Sequence, residues 1–291
     1  MTEPPSHLAP ALQRPGETVA QRILAAGFNS VGRFSPGLAA RAAEAIFVKS
    51  ARPRPRPEEA EFLATARPFT VTAVGQRISG YHWGDSGRLV LCAHGWWSHA
   101  GRFALLGSAL RDAGFQVVAL DAAGHGRSSG WRSSMPEFAA SIRAVADHAG
   151  ALHAIVGHSL GGSASLFAID RGLPTTRAVT IASPASLSRW AQDFREMARL
   201  SDPVFQLMIG NMERRLGLSW ADLDITAAAR RIDIPGLVIQ DTDDPDVSPA
   251  DGEALAAAWR GASLLRTKGL GHRAILRDPE VITQVVEFVG R

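Results

Sequence analysis

The chain has 291 residues, of which 46% are hydrophobic and 20% charged, an ordinary globular balance that excludes a disordered, collagenous or fibrous protein. A chain of this length can bury a large core without disulfides or metals. The formal charge is only +3, and the whole basic excess falls within residues 1–67 without forming a basic stripe. That distribution is poor evidence for nucleic-acid binding, so no nucleic-acid partner is predicted.

The cysteine content and the lack of apolar targeting segments narrow the possible classes of protein further. The single cysteine, Cys92, excludes an intrachain disulfide and a cysteine zinc site. No apolar run reaches about 18 residues, so neither a membrane-spanning helix nor integral membrane association is predicted. Residues 1–15 lack the apolar core of a signal peptide, and we therefore expect a cytoplasmic protein.

Residues 1–66 are predicted to form a helical extension that ends in an Arg/Pro linker. Apolar positions between Glu17 and Val48 (Ile23 and Leu24 among them) favour helix, and several Gly and Pro residues divide it into two pieces. The alternating segment Arg52–Pro57 indicates an extended spacer, followed by one short helix. Packing on the rest of the protein is favoured for this extension, over oligomerisation or weak contact with anionic surfaces through Arg52, Arg54 and Arg56.

After residue 67, short runs rich in Val, Ile and Leu alternate with helical patterns. The runs are Phe69–Val74, Arg77–Trp83, Leu89–Ala93, Gln116–Asp121, Leu152–Gly157, Arg177–Ala182, Gly236–Gln240 and Ala262–Thr267. Helical patterns cover Ala100–Ala113, Pro136–Ala149, Leu160–Arg171, Pro249–Trp259 and Pro279–Val289. Continuous apolar runs indicate strands buried on both faces, and the first two, with no helix between them, predict an antiparallel hairpin at the sheet edge. Residues 67–291 are therefore predicted to form an α/β domain with a mostly parallel sheet.

One stretch of this domain does not alternate. Residues 183–232 contain no convincing strand, and they are rich in large apolar side chains such as Trp190, Phe194 and Met208. The pattern predicts a helical insertion between two strands.

The sharpest local signal is the hexapeptide Gly157–Gly162, G-H-S-L-G-G. It follows an apolar run and precedes a small-residue helix, which is the strand–turn–helix context of a nucleophile elbow. Glycines are needed because Cβ atoms at the flanks of so tight a turn would clash with the strand and the helix. The turn would lift Ser159 Oγ above the sheet edge and place the Leu160 amide where it can donate to an oxyanion.

A serine hydroxyl needs a base and an acid to become a nucleophile. His272 follows the last predicted strand, and the acidic segment Asp241–Val247 follows the strand before it. Enzymes with a nucleophile elbow carry these residues in the same chain order, Ser, Asp and His, and each of the three follows a strand. A second oxyanion donor is also required, and the amide of Trp96, in the loop His94–Trp97, is the natural candidate.

Four ordered motifs together make residues 69–291 resemble the α/β-hydrolase superfamily. The motifs are His94–Trp96, Asp121–Ser128, the elbow around Ser159, and Gly271-His272 ahead of Leu276–Glu280. The chain looks most like the bacterial esterase and lipase-like members. The resemblance implies an eight-stranded, mostly parallel sheet with helices on both faces, a Ser–acid–His triad, and a helical cap formed by residues 183–232.

The resemblance also selects the acid of the triad. The family pattern is commonly His-Gly-x-x-Asp-x-x-Val-Pro, and this chain has Gln240, Asp241 and Ser248 in place of its His, Gly and Pro. The spacing selects Asp244, and Asp246 is the second choice.

The remaining motif residues are candidates for the substrate pocket or for structural support. Trp97, His158 and Trp190 are candidate substrate-pocket residues, but Trp97 is equally consistent with a core anchor and His158 with a structural position in the elbow. His94 and His125 are expected to be structural. Neither a metal site nor a cofactor is predicted, because no ligand-spaced cluster occurs and the triad mechanism needs neither.

The sequence therefore predicts a serine hydrolase that cleaves small-molecule carboxylic esters through an acyl-enzyme, with Ser159, Asp244 and His272 as the triad. The apolar residues of the cap suggest an uncharged, apolar acyl or alcohol portion. Two alternatives stay open: an acyl thioesterase on the same triad, and a non-catalytic binding protein that retains the pocket. Fold-level analogy does not choose among them, and the oligomeric state is left open.

Overall fold

The computed structural model describes residues 19–291, and the predicted helix start at Glu17 lies outside the described residues, as do the side chains of Ile23 and Leu24. The described chain divides into two compact units. One contains residues 19–49 and Ser186–Asp224, and we call it the helical unit. The other contains Ser50–Ala185 and Ile225–Arg291, and we call it the sheet unit.

The strands lie close to the predicted runs. They are β1 (Arg67–Ala73), β2 (Gln76–Trp83), β3 (Leu89–Ala93), β4 (Gln116–Asp121), β5 (Leu152–His158), β6 (Arg177–Ile181), β7 (Gly236–Asp241) and β8 (Ala262–Thr267). The helices are α1 (Val19–Phe34), α2 (Pro36–Phe47), α3 (Pro57–Ala64), α4 (Ala104–Asp112), α5 (Met135–Ala149), α6 (Leu160–Asp170), α7 (Leu187–Ala198), α8 (Asp202–Leu216), α9 (Ile225–Ala229), α10 (Pro249–Ala258), α11 (Gly271–Ala274) and α12 (Pro279–Gly290). Short 3₁₀ turns occur at Ala100–Phe103, Trp220–Leu223 and Ile275–Arg277. Among the described residues, every helix is too short or too polar to cross a bilayer.

All eight strands join one sheet in the order β1-β2-β4-β3-β5-β6-β7-β8. Strands β1 and β2 form the predicted antiparallel hairpin at the edge, and β2 is antiparallel to β4. From β4 to β8 the pairing is parallel throughout. The predicted fold class, an α/β protein with a mostly parallel eight-stranded sheet, is confirmed.

The central strands are buried on both faces, as their continuous apolar runs predicted. Every residue of β3 is buried, and Val90 and Cys92 face a core that also contains residues of α4 and α12. Leu91, between them, points to the opposite face because side chains alternate along a strand. Burial raises the pKa of the Cys92 thiol to about 12, which is consistent with a packing role.

Parallel pairing gathers the carboxyl ends of these strands at one edge of the sheet. Ala93, which ends β3, is opposite Gly157 near the end of β5. Asp241 and Thr267, which end β7 and β8, are also partners. The loops that begin at His94, Ser159, Thr242 and Lys268 therefore all leave the same edge.

Residues 50–66 belong to the sheet unit, so the observed grouping differs from the predicted division at residue 66. The Phe62 ring in α3 stacks on Trp83 at 4.2 Å between centroids. The buried Glu59 carboxylate lies 3.2 Å from the Arg102 guanidinium. Arg52 donates to the carbonyls of Ser128 and Gly130, so this part of the predicted spacer is fixed to the sheet unit.

Residues 19–49 group with the insertion helices. The small side chains of α2 (Ala39, Ala40 and Ala43) are buried in one cluster with Phe194 of α7 and Met208 of α8. At the end of α2, Phe47 packs on Phe194 with ring centroids 5.2 Å apart. Residues 183–232 are helical, as predicted, but α1 and α2 complete the core of the unit that α7 and α8 begin.

This core predicts a clear difference between two phenylalanines of the helical unit. Phe194→Ala removes a side chain that is 4% exposed, and we expect it to cost about 3–5 kcal/mol of unfolding free energy. Phe34→Ala, at a side chain 90% exposed, is the matched control and should change stability by less than about 0.5 kcal/mol. Urea unfolding followed by tryptophan fluorescence measures both, and equal effects would contradict the described packing.

Candidate active site

The predicted nucleophile occupies a strained turn between β5 and α6. Ser159 has φ +53° and ψ −128°, a conformation that non-glycine residues rarely adopt. Its N–H donates to the Ile181 carbonyl at 2.8 Å, and its own carbonyl accepts from the Gly162 amide at 3.0 Å. The strain is therefore maintained by hydrogen bonds on both sides of the turn.

The elbow glycines are required by backbone packing. A Cβ on Gly157 would overlap the backbone of Gly162, and one on Gly161 would overlap the carbonyls of Ala93 and His94. A Cβ on Gly162 would overlap the Ser183 hydroxyl. The turn is so closely packed against β3 and the end of β6 that no side chain fits at these three positions.

The predicted oxyanion loop runs beside the nucleophile. A Cβ on Gly95 would stand only 2.8 Å from the Ser159 Cβ. Trp96 follows Gly95 directly, and Leu160 opens α6, where first-turn amides have no acceptor within the helix. Trp97, which follows Trp96, has φ +51° and is a second strained backbone position in the loops that leave this sheet edge.

Hydrogen bonds of His94 fix the base of this loop. Its Nε2 accepts from the Ala122 amide at 3.1 Å, and its Nδ1 lies 2.6 Å from the Gly95 carbonyl. Only the neutral tautomer with a proton on Nδ1 satisfies both bonds. Burial lowers the pKa of His94 to about 3, which keeps the ring neutral.

His125 packs against the same loop, with its ring 5.3 Å from that of His94. Its ring packs edge-on against Trp96 and Phe138, with centroids 5.1 Å and 5.0 Å away. Its Nδ1 lies 2.9 Å from the Ala123 carbonyl, and burial lowers its pKa to about 3 as well. Both histidines thus pack and orient the loop that carries Trp96.

A buried acid–base pair lies after β7 and β8. The Asp244 Oδ2 is 2.9 Å from His272 Nδ1, and the other carboxylate oxygen accepts from the amides of Asp246 and Val247. The Asp244 side chain is fully buried, while the imidazole is 11% exposed. The carboxylate that contacts His272 is therefore Asp244, and Asp246 contributes only a backbone amide. A proton on Nδ1 leaves Nε2 as the basic nitrogen of His272.

His158 lies against His272 rather than in an open position. Its Nε2 donates to the His272 carbonyl at 2.8 Å, and the two rings are 4.8 Å apart. Burial holds the pKa of His158 well below its usual range. The sequence left the role of His158 open between the substrate pocket and structural support. In the structure its side chain supports the backbone of His272.

Two other buried residues, Asp121 and Asp241, organise the loops, and sequence reasoning assigned neither a role. Asp121 accepts from the Tyr81 hydroxyl at 2.9 Å and from the amides of Ala100 and Arg127 at 2.8 Å. Asp241 accepts from both loops that carry Asp244 and His272. For Asp241 the available signal was its departure from the glycine of the family pattern.

The remaining predicted pocket residues are partly buried. Trp97 lies in the predicted oxyanion loop, and Trp190 lies in α7 of the helical unit. Their contact with a substrate stays a prediction. Within residues 19–291, no group of three or more His, Cys, Asp or Glu side chains is arranged to hold a metal ion.

Comparisons with known proteins agree with this fold. An esterase from Pyrococcus furiosus has the same fold, with a TM-score of 0.66 at 18% identity over 84% of this chain and 99% of that chain. The sheet order, the elbow and this likeness together show the α/β-hydrolase fold. The family model described as serine aminopeptidase, S33 (Hydrolase_4) matches residues 84–221, a little under half of the chain.

Curated relatives include a monoglyceride lipase and a monoacylglycerol lipase. The monoglyceride lipase of Mus musculus is 31% identical over 138 residues, 42% of this chain and 46% of its own length. The monoacylglycerol lipase of Mycolicibacterium smegmatis is 38% identical over 86 residues, 27% of this chain and 31% of its own length. The chain thus spans less than half the length of these relatives.

The buried neutral histidines predict a loss of stability on acidification. The pKa values of His94 and His125 fall from 6.5 to about 3 in the folded state. Below pH 6.5 only the unfolded chain takes up these protons, so the free energy of unfolding decreases as the pH falls. Each of these two histidines should lower the free energy of unfolding by about 2 kcal/mol between pH 8 and pH 5. His158 acts in the same direction. Urea unfolding at both pH values tests this, and equal stability at pH 8 and pH 5 would contradict the buried neutral state.

Proposed function

We propose that the protein is a serine hydrolase that cleaves carboxylic esters through an acyl-enzyme, with Ser159, Asp244 and His272 as its triad. The observation that carries the proposal is the buried Asp244–His272 pair, 2.9 Å apart, on the same sheet edge as the strained Ser159 turn. An isolated turn serine does not require a buried acid–base pair or a glycine loop packed against its Cβ. These features support acyl transfer as the reaction.

In this mechanism His272 Nε2 takes the proton from Ser159 Oγ as the oxygen attacks the ester carbonyl. The amides of Trp96 and Leu160 donate to the oxyanion that forms. Asp244 accepts the Nδ1 proton as a hydrogen bond, so it orients the ring and stabilises the imidazolium. His272 then protonates the leaving alcohol, and a water activated by the same nitrogen hydrolyses the acyl-enzyme.

The substrate class is inferred from the relatives and the sequence together. Two relatives are named for monoglycerides, which are uncharged esters of a fatty acid and glycerol. The apolar side chains of the 183–232 insertion also favour an uncharged, apolar acyl group. We infer a small monoester of this chemical kind, hydrolysed without a cofactor.

The nucleophile is tested by Ser159→Ala. We expect turnover of a p-nitrophenyl ester series, from acetyl to palmitoyl, to fall at least about 10³-fold, because the remaining groups cannot form an acyl-enzyme. Ser165→Ala is the matched control, since that hydroxyl donates to the Gly161 carbonyl within α6, and its activity should stay within about twofold. A folded Ser159→Ala variant that retains activity would contradict the mechanism.

Variants of two carboxylates that are close in sequence test which of them is the acid of the triad. Asp244→Asn should lower kcat by about 10³–10⁴-fold, because an amide favours the wrong imidazole tautomer. Asp246→Asn makes the same chemical change two residues away and should have little effect. If Asp246→Asn causes the larger loss, Asp244 is not the acid.

Acyl thioesters and a serine-directed phosphonate distinguish the alternatives. Hydrolysis of thioesters in preference to oxygen esters would indicate a thioesterase on the same triad. A folded protein that turns over neither class and does not react with the phosphonate would be a binding protein.

A further inference from the structure

The Asp241 carboxylate is a junction between the two loops that carry the acid and the base. Asp241 ends β7 and is 0% exposed. Oδ1 accepts from the amides of Asp243 at 3.0 Å and Gly271 at 3.1 Å. Oδ2 accepts from the Thr267 hydroxyl at 2.7 Å and the Leu270 amide at 3.1 Å.

These donors stand next to the residues that form the buried pair. Asp243 directly precedes Asp244 on the acid loop, and Gly271 directly precedes His272 on the other loop. One carboxylate oxygen therefore bonds to both neighbours at once. Because each loop is held to the same fixed group, the distance between Asp244 and His272 depends on that group.

The donors also keep Asp241 charged. Burial alone would raise the pKa of Asp241, but the Thr267 hydroxyl and the amides of Gly271, Asp243 and Leu270 outweigh it and lower the pKa below its usual range. The carboxylate thus accepts all its bonds throughout neutral pH. The adjacent Gln240 also holds the loop that carries Asp244, because its side-chain amide donates to the carbonyls of Asp241 and Val247 at 3.2 Å.

We propose that Asp241 is a positioning residue that sets the geometry of the Asp244–His272 pair by joining their two loops. The proposal rests on the proposed function, in which that pair activates Ser159. A glycine, the residue of the common family pattern, offers none of these bonds. An asparagine offers one acceptor oxygen and turns an NH₂ group toward donors that need an acceptor.

Asp241→Asn is the test variant because it changes one carboxylate oxygen and leaves the volume unchanged. We expect kcat for a p-nitrophenyl ester to fall about 10- to 100-fold while KM changes less than about threefold, since misplaced catalytic groups slow the chemical step. Asp243→Asn is the matched control. This variant removes one negative charge only two residues from Asp241. The Asp243 side chain is exposed and its backbone amide still donates to Asp241, so kcat should stay within about twofold.

A second pair of variants keeps the test decisive if Asp241→Asn does not fold. Thr267→Val removes one donor to Asp241, and Thr267→Ser retains it. Thr267→Val should lower kcat, and Thr267→Ser should restore it. A folded Asp241→Asn with wild-type kcat, or a Thr267 pair with equal kcat, would overturn the proposal.

Proton NMR gives a readout that does not need turnover. The proton that His272 Nδ1 donates to Asp244 is assigned as the downfield resonance lost in His272→Gln. We expect it to weaken or shift in Asp241→Asn and to persist unchanged in Asp243→Asn. A persistent resonance in Asp241→Asn would overturn the positioning role, whereas a wild-type protein that shows the resonance but hydrolyses no ester would overturn only the proposed function.

Discussion

The close packing of backbone around the turn at Ser159 is the constraint on which the rest of the site depends. Gly157, Gly161 and Gly162 each lie where a Cβ would overlap a neighbouring group, and Gly95 approaches the Ser159 Cβ from the next strand. This packing accounts for a serine at φ +53° at the end of a buried strand. It also brings the loop that contains Gly95 close to the serine.

Loops that leave one edge of a parallel sheet still need fixed positions, and buried polar groups supply them. Asp121 and Asp241 each accept several backbone and hydroxyl donors. His94 and His158 remain neutral because burial lowers their pKa values, and each ring bonds to a carbonyl of a site loop. The polar groups beneath the site thus convert a shared sheet edge into a defined arrangement of Ser159, Asp244 and His272.

Much of this arrangement was predictable because the signals are local. Leu89–Ala93 and Ala262–Thr267 are strands at the predicted residues, since apolar runs bounded by turns leave little choice. The grouping of residues 19–49 with the insertion helices was not predictable, because a stripe of alanines does not reveal its partner. The contacts of Asp241 were also hidden, since a pattern based on glycine treats a buried carboxylate only as a departure.

Labelling with a fluorophosphonate, followed by peptide mapping, tests the central claim most directly. The reagent reports an activated serine whatever the natural substrate is. The account predicts one labelled residue, Ser159, and loss of the label in His272→Gln. Label on another serine, or a folded wild-type protein that takes up none, would contradict the assignment of Ser159 and His272 as an activated pair.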